Sequence, residues 1–292
     1  MLEQVLVNAI SAGMVYALIG LGFSLIAESC GFFDLGQGGI YVVGFYLTYA
    51  LASMPRLSIA AAVVIAILLT GGLGVLIHES VYARLRSRAG STVALLVASL
   101  AVLSLLESAT SLLWGPDTRS LRASISDRTI ILDEAHITLV QFSTLFAVIS
   151  VYVVIAFARR LTPWGRQARA IASDRELAAI HGIPVRRATM VTVAIASSIT
   201  AAAAIISSFD TDMSPAAAFP SVLMAWIATV LGGTGRIVNT LLAGLCLGLV
   251  QHVPTLWVSS SWQDPILYGS VLLMLLWRPL GLAAIKTTPL QR

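Results

Sequence analysis

A chain of 292 residues in which 58% are hydrophobic and only 11% charged, with a mean hydropathy of +0.90, has too little polar surface to coat a globule in water; soluble domains carry about 25% charged residues. Soluble enzymes, nucleic-acid binders and secreted scaffolds are set aside on that ground, and lipid is the solvent for most of the chain. The net charge of +4 calls for no anionic partner, because Arg and Lys collect in the cytoplasmic loops of membrane proteins whatever their function.

The chain opens Met1-Leu2-Glu3-Gln4, without the basic leader of a cleavable signal, and the apolar stretch 5–27 reads as a retained first span. About 20 mostly apolar residues cross a bilayer as a helix. By that measure 37–54, 58–78, 90–113, 139–158 and 188–208 follow. Three shorter candidates, 217–231, 237–253 and 264–277, are interrupted by Gly232-Gly233, Gly235 and Pro254; they are expected as tilted spans, re-entrant half-helices or helices shielded by protein. The expected fold class is all-α, a polytopic transmembrane helical bundle of eight or nine spans in a single domain, 1–292.

Between the first two spans runs Phe33-Asp34-Leu35-Gly36-Gln37-Gly38-Gly39. Its glycines loosen a helix, and backbone freed inside a membrane is tolerated only beside protein or a water-filled cavity. Gly36, Gln37 and Gly38 are therefore candidates for a translocation pathway, where an exposed helix N-terminus attracts a carboxylate. The alternative is that the glycines let two helices pack closely. In the fourth span Glu107 lies among Ser104, Ser108 and Ser111 at helical spacing. An intramembrane acid is a functional candidate by default, here a pathway or gating residue; the alternatives are pairing with a neighbouring helix or a place near the outer interface. Asn8, Ser11, Ser24, Ser197, Ser198, Thr200, Thr229 and Gln251 read as helix–helix hydrogen-bond partners.

Charge sets the orientation. The segment 159–187 holds seven arginines against Asp174 and Glu176, and Arg84, Arg86 and Arg88 form a second basic cluster, so both belong in the cytoplasm. The loop 114–138 carries an acidic excess that suits the outside. Nine crossings from an external N-terminus put 14 of the 18 basic residues inside and leave Arg56, Arg119, Arg122 and Arg128 outside.

The segment 159–187 is more than a loop. Thr162-Pro163 is a helix start, with Thr as N-cap and Pro at the first helical position. Asp174 provides a second cap, and the short helix after it ends at Gly182, with Pro184 beyond. One reading is an amphipathic linker anchored on the membrane surface by arginines. The other is a coupling helix that docks Ala178 and Ala179 into a groove on a cytoplasmic motor subunit, with Glu176 and the arginines at the rim.

Nothing in the sequence points to chemistry on a solute. Cys30 and Cys246 belong to no CxxC or Cys/His cluster, and His78, His136, His181 and His252 are scattered, so no metal or cofactor is expected. No P-loop or nucleophile elbow occurs, which assigns any ATP hydrolysis to another chain. Trp114, Trp164, Trp257, Trp262 and Trp277 fall near span ends, as an interfacial aromatic belt does.

The stretch GRQARAIASDRELAAIHGIPVRR resembles the cytoplasmic loop of the branched-chain amino acid permease family of ABC importers. Three further stretches match that family in order: MLEQVLVNAISAGMVYALIGLGFSLI its first span, VLMAWIATVLGGTGRIVNTLLAGLCLGLVQ its Gly-Gly-x-Gly region and LLMLLWRPLGL its terminal Arg-Pro-x-Gly segment. The family's Asn-x-Ala-His-Gly-Glu pattern after the first span is altered here, with Gln37 in place of His and Gly39 in place of Glu, so roles tied to those side chains do not carry over. Asp-Leu-Gly leans towards the sister LivM type, while length and N-terminus favour the LivH type. The resemblance implies an inner-membrane permease for branched-chain or other hydrophobic amino acids, with urea, amides or aromatic acids as alternative solutes. It also implies partners: a second permease in a heterodimer, two ATP-binding subunits gripping Asp174, Glu176, Ala178, Ala179 and Gly182, and a solute-binding protein docked on 114–138. A self-contained secondary carrier or channel, coupling ions through Glu107, is the competing class.

Overall fold

The computed structural model describes residues 2–55, 57–88, 91–121, 129–132 and 135–277. The bundle is helical throughout its spanning part. Helix α1 is Leu2–Cys30, α2 Gln37–Ala52 and α3 Ile59–Ile77, which continues through a π-helical turn, His78–Tyr82, into α4, Ala83–Ser87. Helix α5 is Thr92–Trp114 and α6 Leu139–Leu161; a short pair, α7, Pro163–Ser173, and α8, Arg175–Ile180, precedes α9, Val185–Ser208. Helices α10, Ala218–Gly232, α11, Ile237–His252, and α12, Gln263–Trp277, complete the set. Among the described residues, seven helical rods are long and apolar enough to cross a membrane alone, whereas α2 and α12, of 16 and 15 residues, are shorter. Helix α2 is buried on nearly every side, so neighbouring protein shields its ends. The terminal Arg-Pro-x-Gly motif lies outside the described residues.

Helix starts are written in the chain. Ser58 accepts from the Ala61 amide to cap α3, and Ser91 accepts from Ala94 to cap α5. Within 114–138, a region expected only as a loop, the strands Thr129–Leu132 (β1) and Ala135–Thr138 (β2) pair antiparallel, with Thr129 opposite Thr138.

Helix α1 runs through the middle, against α9, α10 and α11. Its contact with α11 is backbone on backbone: a side chain at Gly248 would meet the Ala9 carbonyl oxygen at 2.2 Å, and one at Gly244 would meet the Ala17 backbone at 2.4 Å. Small residues spaced four apart on both helices permit that approach, and without a hydrophobic drive between helices in lipid it is such contact that holds them. Hydrogen bonds add to it. Tyr16 donates to Gln251, Gln141 to Asn8, Thr229 to the Gly20 carbonyl, Ser198 to the Ile67 carbonyl and the Gly235 amide to Ser24. Asn8, Ser24, Ser198, Thr229 and Gln251 thus act between elements as expected, whereas Ser11 makes no such bond among the described residues. The outer faces of α3, α5 and α6 are apolar and exposed, which suits lipid.

The two ends are chemically distinct. At one, Arg86 donates to the Cys30 carbonyl, Arg175 to the Ser29 carbonyl at 3.1 Å, and Arg186 pairs with Glu79, so the basic segments meet the C-terminal end of α1. At the other, Arg119 and Met213 exchange backbone hydrogen bonds, and the Tyr46 hydroxyl reaches the Asp117 and Met213 carbonyls.

Candidate functional site

The break between α1 and α2 is a buried polar knot. Asp34, only 4% exposed, accepts from the Tyr82 hydroxyl at 2.6 Å and from the Gly36 amide at 2.9 Å. Gln37, 1% exposed, donates to Ser197 Oγ at 3.4 Å and accepts from Thr200 Oγ1 at 3.1 Å, which pins the start of α2 to the middle of α9. Gly36 and Gly38 have no room for a side chain: a Cβ at 36 would stand 2.7 Å from the Tyr82 hydroxyl, and one at 38 would stand 2.3 Å from the Ala218 carbonyl. The Gly38–Ala218 contact lies eight residues, roughly 12 Å, along α2 from Tyr46, whose hydroxyl reaches the Asp117 and Met213 carbonyls, so α10 begins at the depth where α2 begins. The structure thus sets Gln37 against α9, Gly38 against α10, and Gly36 against Tyr82 and Val102 of α5. Asp34 and Tyr82 are the members that motif reading passed over. The signal for Asp34 was present, since an acid between two apolar spans invites the same question as Glu107; Tyr82, in a π-helical turn 48 residues away, had none.

Glu107 is elsewhere. It lies in the C-terminal half of α5 with Ser104, Ser108 and Ser111 along one wall of a groove of about 630 Å3, which Pro116, Pro215 and Ala216 close from the side. The stripe sits on a face of α5 that is exposed in this chain, and Leu105 and Leu112 beside it are bare apolar surface.

The α7–α8 pair is capped as its sequence indicates. Thr162 Oγ1 accepts from the Gly165 amide at 3.2 Å, with Pro163 at the first helical position. One carboxylate oxygen of Asp174 accepts from the Glu176 and Leu177 amides, both at 2.9 Å. Gly182, at φ 77°, closes a Schellman motif: its amide donates to the Ala179 carbonyl and that of Ile183 to the Ala178 carbonyl. The small residues divide. Ala178 is turned inward and buried with Ile171 and Ala188, whereas Ala179 faces out, flanked by Leu177 at 52% and Ile180 at 80% exposure. Glu176 is exposed on the same side. These two large, bare apolar side chains were not in the sequence argument, which looked to the alanines.

A set of arginines fastens this pair to the bundle. Arg159, at the end of α6, pairs with Glu28 of α1 at 2.6 Å and donates to the Gly235 carbonyl at 3.3 Å, while its own carbonyl accepts from Arg169 of α7. A side chain at Gly165 would collide with the Arg159 backbone, so α7 lies directly on it. Gly233 and Gly235, at φ 83° and 77°, make the turn between α10 and α11 that presents the carbonyl to Arg159. Truncating one member of such a buried pair costs about 3–5 kcal/mol, because the other charge is left alone.

Compared with known proteins, residues 5–276 match the family model for the branched-chain amino acid transport system permease component. The high-affinity branched-chain amino acid transport system permease protein LivH of Escherichia coli is 25% identical over 296 aligned positions, covering 96% of this chain and 94% of that one. The corresponding BraD protein of Pseudomonas aeruginosa is similar to the same extent, at 25% identity and the same coverage. Among solved structures, PsaBC from Streptococcus pneumoniae in complex with Fab aligns over 93% of this chain and 89% of that chain, with 13% identity and a TM-score of 0.48.

Proposed function

The chain belongs to the family of branched-chain amino acid transport permease components, and from that premise we propose that it forms one membrane half of an importer for branched-chain or other hydrophobic amino acids. Its partners in the inner membrane are a second, non-identical permease and two cytoplasmic ATPase subunits, with a solute-binding protein on the outer loops about 114–138. The solute passes unaltered by alternating access, and the hydrolysis of ATP takes place on the partner subunits.

The observation that carries this reading is the α7–α8 pair. A lone loop between two spans needs neither a double cap, a Schellman stop nor two bare apolar side chains; a helix that docks in a partner's groove needs all of them. Leu177, Ala179 and Ile180 are the docking face and Glu176 its rim, while Asp174 and Gly182 fix the ends of the helix and Ala178 its seat. Arg175, Arg169 and Arg159 transmit its movement to α1, α6 and the α10–α11 turn. The Glu107 stripe faces the second permease across the solute path, because an acid and three serines on a bare membrane face require water or protein opposite them. Gln37 and Gly38 act behind that wall, holding α2 against α9 and α10, and Gly36 seats the start of α2 against Tyr82 and α5.

The test is uptake of radiolabelled leucine into proteoliposomes holding the full complex. Glu176→Lys or Ala179→Arg lowers ATP-dependent uptake by at least roughly tenfold, a loss of about 1.4 kcal/mol at the docking contact, with membrane insertion intact. Unchanged uptake in both variants overturns the docking role. Ion-driven uptake by this chain alone makes it a secondary carrier instead. Competition by urea, short amides or aromatic acids in place of leucine reassigns the solute.

A further inference from the structure

Along the exposed face of α3, the π-helical turn and α4 runs a cleft of about 760 Å3, lined from Gly72 to Ser87 and joined by Arg186 of α9. It follows roughly 22 Å of helix, the depth of one leaflet, since a bilayer with its headgroups is about 40–45 Å thick. Its two ends differ. Gly72, Val75 and Leu76 make the apolar end, with the bare Leu68 and Leu69 one turn before it. A side chain at Gly72 would meet nothing within 4 Å, so that residue leaves a notch in an apolar surface. Helix α3 itself has 19 residues, about 28 Å, and nearly fills the hydrocarbon, which is about 30 Å thick. The π-helical turn and α4 therefore stand at headgroup level, and there the cleft is lined by Glu79, Ser80, Arg84 and Ser87.

The polar end carries an excess of positive charge. Arg186 donates from Nε and Nη2 to Glu79 Oε2, at 3.0 and 2.5 Å, which neutralises the carboxylate of the cleft and leaves Nη1 without a partner among the described residues. Arg84 is exposed, and its side chain makes no hydrogen bond or ion pair among the described residues. Ser80 and Ser87 donate to the Leu76 and Arg84 carbonyls of their own helix, so their oxygens are left as acceptors. Two guanidinium groups suit a phosphate, acceptor oxygens suit a headgroup that carries hydroxyls, and an apolar floor within the hydrocarbon suits an acyl chain. We propose that this cleft holds one anionic phospholipid with a hydroxyl-bearing headgroup, its phosphate at Arg84 and Arg186 and an acyl chain along Leu76, Val75 and Gly72. Basic pockets beside membrane helices take anionic headgroups in this way.

The site depends on the chain lying in a bilayer and not on the solute that it carries. The experiment is native mass spectrometry of the full chain released from nanodiscs of equimolar phosphatidylcholine and phosphatidylglycerol. Phosphatidylglycerol is expected to stay on the chain, preferred roughly tenfold over phosphatidylcholine. Arg84→Gln lowers that preference roughly fivefold, and Arg84→Lys, which keeps the charge, lowers it less. Gly72→Leu places a side chain where nothing lies within 4 Å of its Cβ, and so fills the notch with every charge in place. It lowers retention of the lipid and tests the acyl seat independently of Arg84. Arg160→Gln, exposed at the end of α6, leaves retention unchanged.

Equal retention of the two lipids, or indifference to both Arg84→Gln and Gly72→Leu, overturns the site. An equal loss in Arg160→Gln overturns it too, by making the attraction a diffuse property of the basic end. So does displacement of the lipid by glycerol 3-phosphate, which makes the cleft a phosphate site without an acyl seat. If the chain alone retains the lipid and the assembled complex does not, a protein subunit covers the cleft and the lipid site falls.

Discussion

A methyl group on residue 38 would stand 2.3 Å from the Ala218 carbonyl oxygen, closer than any carbon can approach, and the obstacle is backbone, which does not swing aside. Gly38→Ala is therefore expected to push α2 from α10 and cost about 1–3 kcal/mol, the usual penalty of overpacking. Gly72 is the control: nothing lies within 4 Å of the position its Cβ would take, so Gly72→Ala is neutral or gains up to about 1 kcal/mol of helix propensity. Thermal unfolding of both variants in one detergent separates them, and equal transitions would show that α2 and α10 do not touch as described. The glycines between the first two spans were legible in the sequence as a close contact or an opening, but not as one over the other. That choice depends on residue 218, which is 180 positions away and carries no mark of the contact.

At the scale of the element, α8 shows how much a capped segment reveals of itself. Thr162-Pro163, Asp174 and Gly182 each specify a local backbone state, and the structure realises all three. What a six-residue helix does not reveal is which way it faces, because it is too short to display a period. Ala178 was as good a candidate for the outer face as Ala179 until its neighbours Ile171 and Ala188 were in place. The ends of α8 make a separate prediction. Asp174→Ala removes the acceptor for two amides and costs about 1 kcal/mol of helix stability, whereas Asp174→Asn keeps the cap. Hydrogen exchange over 175–180 should accelerate roughly fivefold in the Ala variant and little in the Asn variant. Similar exchange in Ala variant and parent would mean that packing of Ala178, not the cap, holds the helix.

Across the whole molecule, hydropathy and charge located the spans within a few residues and sorted the two ends, because lipid imposes both patterns on the sequence directly. Features assembled from distant helices left no such pattern: the arginine ties of Arg159 and the knot at Asp34 draw on side chains scattered along the chain. Glu107 lies between these cases, visible as an acid in a span but silent about what it faces. Its helix provides the means to ask. Ser104, Glu107, Ser108 and Ser111 recur at three and four residues and share one stripe of α5, while Leu105 lies a quarter-turn away on bare apolar surface. If the stripe borders the solute path, water reaches it and lipid covers Leu105. With Cys246 replaced by Ala and Cys30 buried, Ser108→Cys in the assembled complex should react with a membrane-impermeant maleimide added from outside, and Leu105→Cys should not. The thiolate is what attacks the maleimide, and a thiol in hydrocarbon does not ionise, so the contrast reports water and not simply space. Equal labelling of the two positions, or labelling of neither, would make Glu107 a buried contact of the permease pair and put the path elsewhere in the assembly.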